Sequence, residues 1–160
     1  MQGMETNVPR MSARLTEAEL RAWQALLHAH RDVTDALDSE LRTEHGLSMA
    51  TYDVLLRLAR APGRSLRMSD LAARVMMSPS GLTRAVDRLV DQKLVTRSRP
   101  PEDARVMQVR LTDRGHRTLR DAARTHLRGI REHFTGRLTQ RQLRDVASAL
   151  EVIAGPHQPH

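Results

Sequence analysis

Asp70-Leu71-Ala72-Ala73-Arg74-Val75-Met76-Met77-Ser78-Pro79-Ser80-Gly81-Leu82-Thr83-Arg84-Ala85-Val86-Asp87-Arg88-Leu89 holds two short helical patterns with a polar turn between them. Leu71, Ala72 and Val75 form the inward face of the first, and Leu82, Val86 and Leu89 that of the second. The break falls at Met77-Ser78, and Pro79 follows at a first helical position, where its missing N–H is no loss and its fixed φ suits the helix. Ser78, Ser80, Gly81, Thr83 and Arg84 are left outside on the first turns of the second helix. A helix that reads a DNA groove needs this division, because its N-terminal side chains must reach base edges while its back packs on the domain. Ser80 and Thr83 can bond bases or phosphates, and Arg84 can fork onto guanine. A capped surface helix shares the pattern over this segment alone, so the flanks decide between the two.

Downstream the period changes at Leu94. Val95, Arg97 and Arg99 alternate with Thr96 and Ser98, Pro100-Pro101-Glu102-Asp103 reads as a turn, and Val106, Val109 and Leu111 as a returning strand. Thr112 or Asp113 caps a long arginine-rich helix that runs past Phe134, and Thr139 caps a last one with Leu143, Val146, Leu150 and Ile153 on one face. Upstream, Thr16 and Glu19 make a capping box for a long helix to about His45, stopped by Gly46. Ser48 caps a second helix that ends before Pro62-Gly63, and a third starts at Ser69. The expected fold is therefore mainly α with a small two-stranded β-hairpin. A hairpin directly after a helix-turn-helix is a wing, which gives a winged helix-turn-helix lobe plus a helical region.

The charge falls on that lobe. The chain of 160 residues carries a net +7. Residues 57–110 hold twelve basic and five acidic side chains, so the whole excess lies in the middle third. Such localisation fits a polyanion footprint better than a solvated face. With one Trp, one Tyr and one Phe the core must be aliphatic, and base stacking on aromatic platforms is nearly excluded. Any nucleic acid should then be duplex. The absence of cysteine excludes disulfides, thiolate zinc sites, cysteine nucleophiles and thiol-based redox sensing. No signal-peptide core and no apolar run of about 18 residues is visible, so no membrane is expected and the cytoplasm is the expected location.

The joined motifs resemble the MarR family of bacterial regulators. The resemblance runs from Leu71-Ala72-Ala73-Arg74 through Ser80–Leu89 to Leu94-Val95-Thr96-Arg97, then through Pro101-Glu102-Asp103-Ala104-Arg105 and Val109–Gly115. It implies one domain over residues 1–160, with dimerisation helices at 15–45 and 113–154, a winged lobe at 48–111, and flexible ends at 1–13 and 155–160. It also implies a transcriptional regulator, a homodimer, and repression relieved by a small-molecule effector. Asp103-Ala104-Arg105 is similar to the family's wing tip, in which the arginine enters the minor groove. Ala104 stands where many relatives have a second basic residue, which implies a weaker grip. Asp87 and Arg88 match a pair expected to tie helix to wing. The candidate DNA contacts are Ser78, Ser80, Gly81, Thr83, Arg84, Arg88, Arg97 and Arg105.

Effector chemistry is less legible. The family's ligand region corresponds to Trp23, His30, Met49, Tyr52 and Asp53, though residues of each of these types are more often core or interface. Some relatives sense zinc, but His126 and His133 lie two helical turns apart and no His-x-x-x-His pair exists, so no metal and no cofactor are expected. Neither a nucleophile–base constellation nor a glycine-rich phosphate loop is present, which argues against an enzyme. An architectural DNA-binding protein with little sequence preference is the alternative.

Overall fold

A computed structural model describes residues 14–101 and 103–155. The flexible ends expected at 1–13 and beyond Gly155, and Glu102 of the wing turn, fall outside the described residues. The chain divides into two compact units after Asp32.

The first unit contains the opening part of α1 (Glu17–His45). Thr16 starts it as the sequence implies: its N–H and Oγ1 donate to Glu19 Oε2 at 2.7 and 2.8 Å, and the Glu19 N–H donates back to Thr16 Oγ1 at 3.3 Å. Those bonds, the backbone one foremost, hold the Glu19 carboxyl below its ordinary range. Leu20, Trp23, Leu26 and Leu27 are exposed.

The second unit holds the rest of α1, then α2 (Met49–Arg60), β1 (Ser65–Arg67), α3 (Met68–Arg74), α4 (Pro79–Asp91), β2 (Val95–Ser98), β3 (Gln108–Leu111), α5 (Asp113–His133) and α6 (Gln140–Ala154). Helix α1 stops where Gly46 turns left-handed at φ 65°, with its N–H on Arg42 O at 3.0 Å. Asp38 then fastens the next element. It accepts the Met49 N–H at 2.8 Å and the Arg42 guanidinium at 2.5 Å. Burial pushes the Asp38 carboxyl up, yet these hydrogen bonds prevail and hold it below its ordinary range. Ser48 and Thr51 complete a capping box on α2.

Helix α2 is the hub, packing against α3, α4, α5 and the sheet. Its Val54, Leu55 and Leu58 are fully buried, as are Leu41, Leu71, Leu82, Val86, Leu89 and Val109 around them. At roughly 1.5–3 kcal/mol per buried aliphatic side chain, such a set stabilises the lobe without an aromatic centre. Tyr52 is its one buried aromatic residue among those described.

The sheet contains the expected hairpin, β2 with β3, and adds a third strand to it. It has three antiparallel strands in the order β1-β3-β2, with Leu66 opposite Val109 and Arg97 opposite Val109 on the other side. Three residues are too few for β1 to show alternation, and its pairing is non-local. Because β1 runs directly into α3, and the Met68 N–H bonds Met107 O at 2.8 Å, that helix begins at Met68 rather than Ser69. Val106 and Arg99, read as strand residues, lie in the connecting loop. Helix α5 ends at His133 rather than past Phe134, whose φ of −131° and ψ of −76° leave the helix. After α4, Lys93 takes a left-handed φ of 61° with its N–H on Val90 O at 2.9 Å. Among the described residues no helix is long and apolar enough to cross a membrane.

Thr112 caps α5, and one turn on, Gly115 passes against the chain after α4. A Cβ there would lie 2.0 Å from Leu94 O and 2.7 Å from Leu111 Cδ1. Backbone cannot yield as a side chain does. Gly115→Ala should therefore destabilise the protein by about 1–3 kcal/mol or more. Urea unfolding of the two proteins measures it, and an unchanged midpoint would contradict the tight packing.

Candidate nucleic-acid interface

Helix α4 separates its faces as a groove reader must. Leu82, Val86 and Leu89 are buried, whereas Ser78, Ser80, Thr83, Arg84 and Arg88 are exposed and Gly81 is half-buried. Ser78 is the N-cap, accepting the Gly81 N–H at 3.1 Å and standing 3.4 Å from Ser80 Oγ. A Cβ on Gly81 would meet Ser78 Oγ at 3.0 Å, so the glycine lets the cap sit close. Thr83 Oγ1 donates to Pro79 O at 3.0 Å. Its donor is used inside the helix, which leaves a methyl group and acceptor lone pairs facing out.

The wing is braced from within. Arg99 Nη1 donates to Ala104 O at 2.5 Å, and Asp103 Oδ1 accepts the Arg105 N–H at 3.0 Å. The Arg105 side chain itself is 97% exposed, with its Nε 3.7 Å from Asp103 Oδ1. Asp87 makes the tie between helix and wing, through Arg97 at 2.6 Å. Arg88, its neighbour in the expected pair, is exposed. Arg97 is thus engaged by α4 from its place on β2.

Ion pairs and hydrogen bonds divide the basic window. Arg57 pairs with Asp53 at 3.1 Å, Arg64 with Asp113 at 3.4 Å, and Arg110 donates to Gly63 O at 3.1 Å. With Arg97 and Arg99, five of the twelve cations serve the fold. The other seven, Arg60, Arg67, Arg74, Arg84, Arg88, Lys93 and Arg105, are exposed. Arg67 was not among the sequence candidates, although it counts in the basic window. It lines an open cleft under the wing with Pro100, Asp103, Val106 and Gln108.

Met49, Tyr52 and Asp53 share the first turns of α2, while Trp23 and His30 are exposed positions of α1 in the other unit. Met49 and Asp53 are half-buried, and Tyr52 is buried. The Tyr52 ring lies 4.9 Å from that of His126, tilted by 41°. Burial raises the Tyr52 hydroxyl above its ordinary range, against the nearby Arg60 cation, and the Asp53 charge adds to the rise. Burial also lowers His126, whose Nδ1 is enclosed without a hydrogen-bond partner. The imidazole is therefore held towards its neutral form.

The chain is similar to proteins of known family. A sequence model described as MarR family matches residues 45–106. The HTH-type transcriptional regulator MhqR of Bacillus subtilis (strain 168) is 26% identical over 118 residues, 74% of this chain and 79% of MhqR. AbsC, a MarR family transcriptional regulator from Streptomyces coelicolor, matches with a TM-score of 0.78 at 35% identity, covering 88% of this chain and 95% of AbsC. Sco3205, a MarR family transcriptional regulator from the same organism solved in complex with DNA, matches with a TM-score of 0.80 at 33% identity, covering 91% of this chain and 92% of that one.

The Asp87–Arg97 pair is partly exposed, so its loss should cost under about 1 kcal/mol of global stability. Its local effect should be larger. Asp87→Ala is expected to speed amide exchange in β2 and β3 while leaving α2 unchanged, as hydrogen-exchange mass spectrometry reads it. Equal protection of the wing in both proteins would show that packing alone holds it.

Proposed function

The chain belongs to the MarR family of transcriptional regulators, and we propose that it is a ligand-responsive repressor that binds a palindromic operator in double-stranded DNA as a symmetric homodimer. The observation that carries this reading is the outward face of α4, polar and cationic over a fully buried back, beside a wing whose Arg105 is almost wholly exposed. The relative solved with DNA, at 33% identity, supports the same use of the lobe. Thr83 and Arg84 are assigned to major-groove base edges, Ser78, Ser80 and Gly81 to the backbone at the helix N-terminus, and Arg105 to the minor groove. Arg88 takes a flanking phosphate, and Arg97, the remaining candidate of the sequence, serves the interface by holding β2 to α4 through Asp87. No effector is assigned beyond the region of Met49, Tyr52 and Asp53 on α2, with Trp23 and His30 on α1 carried as further candidates. The repressor is assigned to the cytoplasm, where its operator is.

Two-fold pairing is supported by the apolar side chains left at the surface. Leu20, Trp23, Leu26 and Leu27 on α1 are exposed in the first unit, and Leu127, Leu150, Val152 and Ile153 on α5 and α6 in the second. Large apolar side chains left exposed on helices in each unit are the kind of surface that association covers. Removing residues 139–160 should therefore shift the protein to a monomer in ultracentrifugation and abolish operator binding. A full-length monomer with undiminished affinity would overturn the dimer.

The two DNA-reading elements should fail differently. Arg84→Ala should cost roughly 1–3 kcal/mol on the operator and flatten base preference. Arg105→Ala should weaken operator and unrelated A·T-rich duplex alike, and reduce the salt slope by about one. Binding titrations of both variants over a salt series separate these outcomes. Loss of base preference in Arg105→Ala alone would invert the assignment, and equal affinity of the unaltered protein for operator and random duplex would favour the architectural alternative.

A further inference from the structure

Glu40 on α1 and Glu132 and His133 at the end of α5 bring one ligand atom each within 4.8 Å of one another. All three belong to the second unit. Glu40 Oε1 meets His133 Nε2 at 2.6 Å, and the two side chains are only 25% and 20% exposed. The other Glu40 oxygen, Oε2, is buried with no hydrogen-bond partner. An enclosed carboxylate oxygen without a donor is costly, and an ion is one of the few things that satisfies it. Gly129 lets Glu40 come close to α5: a Cβ there would lie 2.6 Å from that oxygen and 2.6 Å from Leu37 Cδ2. Arg128, the cation one turn back on α5, is committed to Glu44. The cluster also sits where α5 ends, so the negative end of the helix dipole adds to two carboxylates and favours a cation.

We propose that Glu40, Glu132 and His133 form a binding site for a divalent transition-metal ion of the zinc class, completed by water. The imidazole disfavours magnesium and calcium, which take oxygen ligands, whereas one nitrogen and two carboxylate oxygens suit zinc. Ligand atoms on a tetrahedral zinc lie about 3.3 Å apart, so the Glu40–His133 contact must open by about 0.7 Å. Side-chain rotation supplies that. His133 must present a bare Nε2, so any proton on that nitrogen passes to Nδ1 or to solvent when the metal enters. The ion would join α1 to α5 at the place where the Glu40–His133 contact now does.

The test is calorimetric titration of zinc into the full chain after chelator treatment and dialysis, alongside circular dichroism. One zinc per chain is expected, with affinity reduced at least tenfold by Glu40→Gln and by Glu132→Gln and unchanged by the double substitution His157→Gln, His160→Gln. Glu132 is exposed, so its variant keeps the question answerable if Glu40→Gln unfolds. Undiminished binding in Glu132→Gln, binding that disappears with His157 and His160, or no binding at micromolar zinc would each overturn the site.

Discussion

One threonine ties together the elements to which DNA reading is assigned. The Thr112 N–H donates to Leu94 O at 3.0 Å, its hydroxyl reaches Lys93 O at 2.9 Å and Leu94 O at 3.0 Å, and the same oxygen accepts the Gly115 N–H at 2.9 Å. One residue thereby ends β3, caps α5 and closes the turn after α4. The glycine contact beneath it allows no slack. A helix cap of this kind is worth about 1 kcal/mol, but the geometric effect is larger, because the end of α4, the base of the β2–β3 wing and the start of α5 are tied at one residue.

Charge is divided between holding and reaching. Arg97, Arg99 and Arg110 spend their guanidinium groups on a carboxylate or a carbonyl of the lobe, while Arg84, Arg88 and Arg105 stand in solvent. The split is physical rather than compositional. Pairs such as Arg97–Asp87 fix where the strands lie, and exposed cations keep the freedom to displace counterions from a duplex. A count of arginines overstates the second role by including the first.

Helix starts were legible in the sequence because caps are local chemistry. Thr16 with Glu19, Ser48, Thr139, and Thr112 or Asp113 each declare a helix within four residues, and the structure uses Thr16, Ser48, Thr112 and Thr139, with Ser78 of the polar turn capping α4 as well. The inward faces of α3 and α4 were legible for the same reason, being written in a 3.6-residue period. Features that depend on distant partners were not. Strand β1 exists only because Ser65–Arg67 finds β3 more than forty residues on, and Glu40 meets His133 across a separation of 93. No window of sequence contains both halves of such a contact. Membership of the site followed the same divide: the exposed face of α4 was readable, whereas the bracing of the wing by Arg99 and Ala104, and the place of Arg67 beneath it, required the fold.

Lys93 gives the joint a chemical handle. It is the only lysine in the sequence, it is exposed, and its left-handed backbone places it in the turn between α4 and β2, next to the carbonyl that Thr112 holds. Apart from an α-amino group, every amine-directed reagent must therefore land at the base of the wing. Acylation chemistry that scatters labels over an ordinary basic protein would here write a single mark, and a fluorophore carried by that mark would sit at the one point through which helix, wing and α5 are joined.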